Sequence, residues 1–337
     1  MNILLTGGTG YIGSHTAVVL SDLGHKVVLY DNLSNSSEAV LGNLAQITRQ
    51  RLAFVKGDVR NTELLVSTIT SHGIDTVIHF AGLKSVGDSF KKPIDYFANN
   101  VQGTISLLQA MHSEKVKTLV FSSSATVYGE PQYLPLDENH PTNATNPYGR
   151  SKLHIEEMLK DIAMSDTGWR IACLRYFNPV GAYESGLIGE NPNGVPDNLM
   201  PYIAQVASGQ RSSLSVFGND YLTKDGTGVR DYIHVMDLAE GHAAALDFLT
   251  LTVGCHTINL GTGNGHSVFE MVQAFENASG REVPLKVEKR RAGDVAVCYA
   301  DPKKASQLLN WKARRSLEDM CASTWAATKY KNSAQSL

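Results

Sequence analysis

From Met1 to about Asn178 the chain alternates short apolar runs with stretches of helical period. Ile3–Thr6, Lys26–Tyr30, Phe54–Val59, Thr76–Lys84, Leu119–Ser124 and Arg170–Tyr176 read as six strands. Between the first two, Ala17, Val18, Leu20 and Leu23 mark a helix that stops at Gly24. Strands alternating with helices predict an α/β domain, a doubly wound parallel sheet with helices on both faces, over residues 1–178. After Asn178 the texture changes. Residues 179–198 are rich in Gly, Pro and Asn and read as a long functional loop, after which short helices and strands intermix. This predicts a smaller, mixed α/β, discontinuous second domain over 179–337. The helical stretch Val235–Leu249 and the strand His256–Leu260 are expected to return to the first domain, within 235–262.

The first strand runs into Gly7-Gly8-Thr9-Gly10-Tyr11-Ile12-Gly13 and then the helix. Glycine at 7, 10 and 13 lets backbone approach a pyrophosphate, and the helix start supplies free N–H groups and partial positive charge. That context, strand then glycine turn then helix, makes the motif specific for a Rossmann-type dinucleotide site. The second strand ends at Asp31, about twenty residues on, where an acid can bind an adenine-ribose diol. Asn32-Leu33-Ser34-Asn35-Ser36 offers no cation for a 2′-phosphate, so NAD is expected over NADP. Asp58 ends the third strand, where it can meet the adenine amine. The fourth ends in small residues, Ala81 and Gly82, and the fifth delivers the hydroxyls of Ser122 to Ser124. The carboxyl ends of such strands line the ligand crevice. His79 is expected to be a packed strand residue, not a base.

Tyr148 and Lys152 lie four apart after Asn146-Pro147, with proline suited to a first helical turn. On a helix they share a face. A phenol with a pKa of about 10 is a poor base at neutral pH, and a fixed neighbouring cation favours its phenolate.

Composition narrows the function classes. The 337 residues are 42% hydrophobic and 19% charged, with a net charge of −3, which offers no basic surface for nucleic acid. No apolar run approaches the ~20 residues of a membrane span. The chain enters a strand at once, so no signal peptide is expected. Cys173, Cys255, Cys298 and Cys321 lack metal-ligand spacing, which predicts no metal and reduced thiols in a cytoplasmic protein.

With Phe121-Ser122-Ser123-Ser124-Ala125-Thr126-Val127-Tyr128-Gly129, Leu174-Arg175-Tyr176-Phe177-Asn178-Pro179-Val180-Gly181 and Gly226–Val235 added, the chain resembles the extended short-chain dehydrogenase/reductases. Within them it resembles the UDP-glucose 4-epimerase family, from Asn2 to about Trp325. The resemblance implies reversible 4-epimerisation of UDP-glucose and UDP-galactose in galactose metabolism, by an isomerase with tightly bound NAD. It implies that Tyr148, as phenolate, takes the 4-hydroxyl proton through Ser124 while hydride leaves C4, and that Lys152 holds the ribose and depresses the Tyr148 pKa. The 4-ketose then turns its other face to receive the hydride. Cofactor contacts carried over are Gly7, Gly10, Tyr11, Ile12, Gly13, Asp31, Asn32, Asn35, Ser36, Asp58, Val59, Phe80, Ala81, Gly82, Lys84, Asn99, Ser124, Tyr148, Lys152 and Phe177. Ser124 and Tyr148 also face the sugar. Asn178, Asn198 and Leu199 are carried over to the diphosphate and uridine, Val216 and Phe217 to the uracil, Arg230 and Arg291 to phosphate, and Asp294 to the ribose. Without the resemblance, Arg290-Arg291 reads as a solvated charge pair and Arg230 as a salt-bridge partner of Asp231.

A sugar-nucleotide 4,6-dehydratase or decarboxylase is the neighbouring alternative, but dehydratases place acids after the Ser124 position, and here Ala125 and Thr126 follow. A non-catalytic NAD-sensing regulator would lack the catalytic pair. Cys298, four residues past Asp294, falls where the family carries a gatekeeper beside the sugar 2-position. A residue this small implies room for an acetamido group, and so for UDP-GlcNAc and UDP-GalNAc, unless Tyr299 takes the role instead. The resemblance also implies a homodimer through two helices, with candidate faces Val101, Ile105, Leu108, Met111 and Met158, Leu159, Ile162.

Overall fold

The computed structural model describes residues 1–191, 196, 198–291 and 293–334, with the side chains of 333 and 334 excepted. The first half runs β1 (Asn2–Thr6), α1 (Tyr11–Asp22), β2 (Lys26–Asp31), α2 (Ala39–Thr48), β3 (Ala53–Lys56), α3 (Thr62–His72) and β4 (Thr76–His79). It continues through α4 (Val86–Lys91), α5 (Pro93–Tyr96), a π-helical stretch Phe97–Gln102, α6 (Gly103–Ser113), β5 (Thr118–Ser124), α7 (Pro147–Ser165) and β6 (Arg170–Tyr176). Then come β7 (Asn178–Val180), α8 (Leu199–Ala207), β8 (Leu214–Phe217), β9 (Val229–His234), α9 (Val235–Leu251) and β10 (Gly254–Leu260). The chain closes with β11 (Gly265–Ser267), α10 (Val268–Ser279), β12 (Leu285–Glu288), β13 (Val297–Cys298), α11 (Lys303–Leu309) and α12 (Leu317–Ala334).

Seven strands form one parallel sheet in the order β10-β6-β5-β4-β1-β2-β3. Successive side chains point to opposite faces, so each strand feeds two cores. Ile3, Leu5, Leu29, Ile78, Val120, Leu174 and Ile258 face α1, α9 and α11, while Leu4, Val28, Val77, Leu119, Phe121 and Ile171 face α3, α6 and α7. α9 packs on this sheet and β10 pairs β6. Ala305, Leu309 and Trp311 join that same core, a return no sequence signal announced. The remaining strands form two small sheets, β11-β9-β13 with β7 on β9, and β12-β8, over a third core from α8, α10 and α12.

Two strand predictions were too long. Phe54–Val59 ends as strand at Lys56 because Gly57 turns the chain, and Thr76–Lys84 ends at His79, where Phe80 and Ala81 both donate N–H to the Thr6 carbonyl. The predicted 179–198 loop opens with the short β7 and a bridge between Ala182 and Gly189; its residues 192–195 and 197 lie outside the described residues. Leu108, Met111 and Leu159, offered above as dimer-face residues, are buried within the chain, because α6 and α7 turn those positions onto their own sheet. Ile105 of the same stripe is exposed.

The chain order reverses between β1 and β4, and there the backbones touch. A Cβ on Gly7, whose φ is +69°, would stand 2.7 Å from Ala81 N. A Cβ on Gly13 would stand 2.3 Å from the Gly7 carbonyl oxygen. Gly13→Ala should therefore destabilise the fold by roughly 1–3 kcal/mol or more, as overpacking does. Gly42→Ala, in helix α2 with nothing within 4 Å, should instead stabilise by up to about 1 kcal/mol. Urea denaturation of the two variants reads both signs.

Candidate active site

Gly10 starts α1 with no side-chain cap and no acid in the first turn, leaving that helix end open to an anion. Asp31 stands across the turn, 8% exposed, with one carboxylate oxygen accepting from Thr9 N at 3.2 Å and the other from Leu33 N at 2.8 Å. Ser36 bonds Thr9 Oγ1 at 2.7 Å. Asn32 reaches Asp58 at 3.4 Å, and Asn35 is exposed on the same loop. The bidentate hydrogen bonds of Arg60 hold the Asp58 carboxyl down to about 2, so this acid is an ionised acceptor. Val59 turns its side chain inward against Gly103 and can offer a ligand only backbone. At the end of β4, Phe80 lies on the His242 ring and Leu83 N donates to Asn100, which also bonds Asn99 and Ser151. Asn99 and Asn100 sit in the π-helical stretch, a distortion found at functional sites.

α7 begins where predicted. The Asn146 side chain accepts from Gly149 N and Pro147 fills the first turn. Ser124, the last residue of β5, stands by the Tyr148 phenol and favours its ionised form. Ser124 Oγ in turn accepts from the Thr126 N–H at 3.2 Å and the Thr126 hydroxyl at 2.9 Å. With both lone pairs taken, its proton is left to point at the phenol. Lys152 is 4% exposed, donates to the Ser122 carbonyl at 2.6 Å and stands 4.8 Å over the Phe121 ring. A Cβ on Gly82 would stand 3.6 Å from its Nζ, so the glycine clears the space in front of the lysine.

Within the protein burial dominates at Tyr148 and raises the phenol above its ordinary value. The opposing influences are the Ser124 hydroxyl and then the charge of Lys84. Burial pushes Lys152 itself down to about 7, against the pull of Glu156, which weakens it as a fixed cation.

On the substrate side, Phe177 is buried against Tyr128, Leu136 and Ala300, and Asn178 follows at the start of β7. Arg230 pairs with Asp294 at 4.0 Å, not with Asp231, which is fully buried and accepts from Thr262, Gly263 and Ala300. Arg290 pairs with Asp220 at 2.7 Å and lies 4.1 Å over the Tyr221 ring, and Arg291 stacks 3.9 Å over the Phe217 ring. Val216 is 1% exposed in the third core, and Leu199 packs against the same core. Val216 can thus present only backbone to a uracil. Cys298 pairs in register with Arg230 and packs, as Ala125 and Leu153 do, against the cluster of Val127, Tyr128, Leu136, Phe177 and Ala300. Burial raises its thiol to about 11, so it is a neutral, small wall residue. Tyr299 lines an open hollow of about 690 Å³ with Val229, Gly265 and His266, apart from this cluster.

Sequence reasoning missed several members. Tyr176 hydrogen-bonds His242 behind Phe80, and burial raises that phenol while lowering the imidazole to about 4. Glu156 and Arg175 form a buried pair beneath Lys152, and Glu190 joins Lys84 to Asn198. Glu156, one turn beyond Lys152, carried a readable signal; the others depend on tertiary contact. His79 is buried between Thr6 and Thr104, as expected of a packed strand residue. Among the described residues no cluster of His, Cys, Asp and Glu could hold a metal ion, and no helix is long and apolar enough to cross a membrane.

A doubly wound sheet with a glycine turn at its switch point and a serine–tyrosine pair at its carboxyl edge defines an extended short-chain dehydrogenase/reductase. The family model described as GDP-mannose 4,6 dehydratase matches residues 4–324. UDP-glucose 4-epimerase of Bacillus subtilis is 55% identical over 325 residues, 96% of each chain. Among solved structures, UDP-glucose-4-epimerase from Stenotrophomonas maltophila, with bound NAD and formylated UDP-arabinopyranose, superposes with a TM-score of 0.97 at 51% identity, covering 99% of both chains. The enzyme from Bifidobacterium longum, in complex with NAD+ and UDP, gives 0.96 at 49% identity, covering 98% of this chain and 99% of that one. The chain belongs to the family this model describes and, within it, to the UDP-glucose 4-epimerases, which are NAD-dependent isomerases.

The buried lysine sets a pH dependence. Its folded pKa of about 7 lies below the ordinary 10.5, so between those values the unfolded chain binds a proton that the folded one does not. Stability relative to Lys152→Met should therefore rise with pH from about 7 to 10.5, by at most about 1.4 kcal/mol per pH unit. Urea midpoints of both proteins across that range measure it, and a flat difference would mean that Lys152 keeps an ordinary pKa.

Proposed function

We propose that this protein interconverts UDP-glucose and UDP-galactose by reversible oxidation at C4 of the hexose. The observation that carries the reading is the placement of Ser124, Tyr148 and the buried Lys152 together at the sheet edge that also holds the glycine turn. The open start of α1, and glycines whose Cβ atoms would strike backbone, fit a bound dinucleotide. Gly7, Gly10, Tyr11, Ile12 and Gly13 would hold the pyrophosphate of NAD, Asp31 the adenine ribose and Lys152 the other ribose. When bound, NAD supplies the acceptor for the C4 hydride and returns it. Tyr148 takes the proton of the 4-hydroxyl through Ser124 and, once the sugar has turned its other face, gives it back to the 4-oxygen. The Ser124 donor and the Lys84 charge both favour the phenolate that this step needs. Arg230, Arg291 and Asn198 hold the uridine diphosphate while the sugar turns.

Residues 1–178 with 235–262 then act as the NAD-binding domain and the rest of 179–337 as the UDP-sugar domain. We place the enzyme in the cytoplasm, in galactose metabolism, as a homodimer joined through the faces of Val101, Ile105, Met158 and Ile162. Incubation with UDP-galactose and no added cofactor should yield UDP-glucose, with one NAD retained per chain. Tyr148→Phe should keep that NAD and lose roughly 10² to 10⁴ in turnover. A near-native rate in the variant would remove Tyr148 from its role, and a 4-keto-6-deoxy product would point to the dehydratase.

The small Cys298, packed against the same cluster as Ala125, supports a wider substrate range that includes UDP-GlcNAc and UDP-GalNAc. Tyr299 lines the separate hollow, which argues against its serving as gatekeeper. Cys298→Tyr should abolish turnover of UDP-GalNAc while sparing UDP-galactose. Absence of UDP-GalNAc turnover in the wild type at saturation would refute the wider range.

A further inference from the structure

Glu190 lies outside every motif above, yet its carboxylate joins the two sides of the cleft. Its Oε1 accepts from Lys84 Nζ at 2.9 Å and from Asn198 Nδ2 at 2.6 Å. Lys84 belongs to the chain leaving β4, and Asn198 precedes the first residue of α8. The Glu190 side chain is 9% exposed, and its Oε2 is buried with no hydrogen-bond partner among the described residues. Its charge also reaches the Tyr11 phenol at the glycine turn. Asn198 shows what this arrangement costs. Asparagine at a helix start ordinarily caps the first turn. Here it makes no cap, and its amide donates to Glu190 instead.

We infer that Glu190 is a positioning residue for the epimerase reaction, whose carboxylate fixes the cofactor-side Lys84 and the substrate-side Asn198 at one separation. The inference rests on the functional reading above. Hydrogen bonds to a charged group are about twice as strong as neutral ones, and a mostly buried carboxylate is costly without its donors. The carboxylate therefore stays between the lysine and the asparagine and holds both. An epimerase has particular use for such a tie, since the sugar must turn freely while its diphosphate and the cofactor stay put. Without it the start of α8 samples positions that do not meet the diphosphate, and apparent affinity falls by the fraction of competent protein.

The test uses the NAD-containing protein and UDP as the probe, with Kd measured by calorimetry. Glu190→Ala should weaken UDP roughly five- to twentyfold. Glu190→Gln, whose amide oxygen still accepts from both donors, should recover most of that loss. Lys84→Met should also weaken UDP, and Glu190→Ala/Lys84→Met should be no worse than the worse single variant, because both remove one tie. Melting temperature and NAD content of each variant show that fold and cofactor are kept. If Glu190→Ala binds UDP like the wild type, or the two losses multiply, the tie does not exist. Should the wild type itself fail to bind UDP, the functional reading falls instead.

Discussion

The Glu156 carboxylate, fully buried beneath the site, fixes the placement of α7 on the sheet. It accepts from Ser123 Oγ at 2.5 Å, Arg175 Nε at 3.0 Å and Arg175 Nη2 at 2.6 Å, joining α7 to β5 and β6. The Arg175 guanidinium lies 4.6 Å over the Tyr128 ring, whose hydroxyl donates to Asn259 on β10. Three strands and one helix thus share a buried polar ladder. A buried ion pair is weak evidence for stability, though breaking one costs about 3–5 kcal/mol. What this one secures is position. Lys152 sits one turn from Glu156 and Tyr148 two turns away, so the catalytic face of α7 inherits its orientation from the ladder.

The switch point between β1 and β4 supplies the second constraint. Gly7 and Ala81 approach too closely for any side chain, which leaves a groove floored by backbone. On one side of it the start of α1 offers uncapped N–H groups, and on the other Lys152 and Ser124 present the chemistry. Tyr148 then needs help from charge, because burial alone keeps its proton on.

Much of this was legible in the sequence because it rests on local rules. Period-two and helical patterns located the seven strands of the main sheet, β10 included, and the proline after Asn146 located α7. The glycine spacing was legible because only glycine tolerates the crossing. What escaped notice depends on distant partners. Arg175 in the middle of an apolar strand and Glu190 in a loop acquire meaning only when Glu156, Lys84 and Asn198 arrive from elsewhere. The Leu108, Met111 and Leu159 stripe failed as a dimer face for a related reason. Amphipathic spacing says that a helix face is buried, not whose surface buries it.

Alternation along β9 and β13 shows how far one simple rule reaches. Arg230 and Asp231 are adjacent and opposite in charge, so they look like a pair. A strand sends neighbours to opposite faces. Arg230 goes toward Asp294, while Asp231 turns inward to gather the N–H groups of Thr262, Gly263 and Ala300. Those bonds hold the chain beyond β13 against the sheet edge. The same alternation separates Cys298, packed against the cluster around Phe177, from Tyr299, which lines the hollow with Val229 and Gly265. A one-residue slip in β13 would put the tyrosine where the cysteine now is. The buried Asp231 opposes that slip, because its Oδ2 accepts from Ala300 N at 3.1 Å and so fixes the register two residues from Cys298. Which of the two side chains faces the Phe177 cluster thus depends on the buried Asp231 carboxylate.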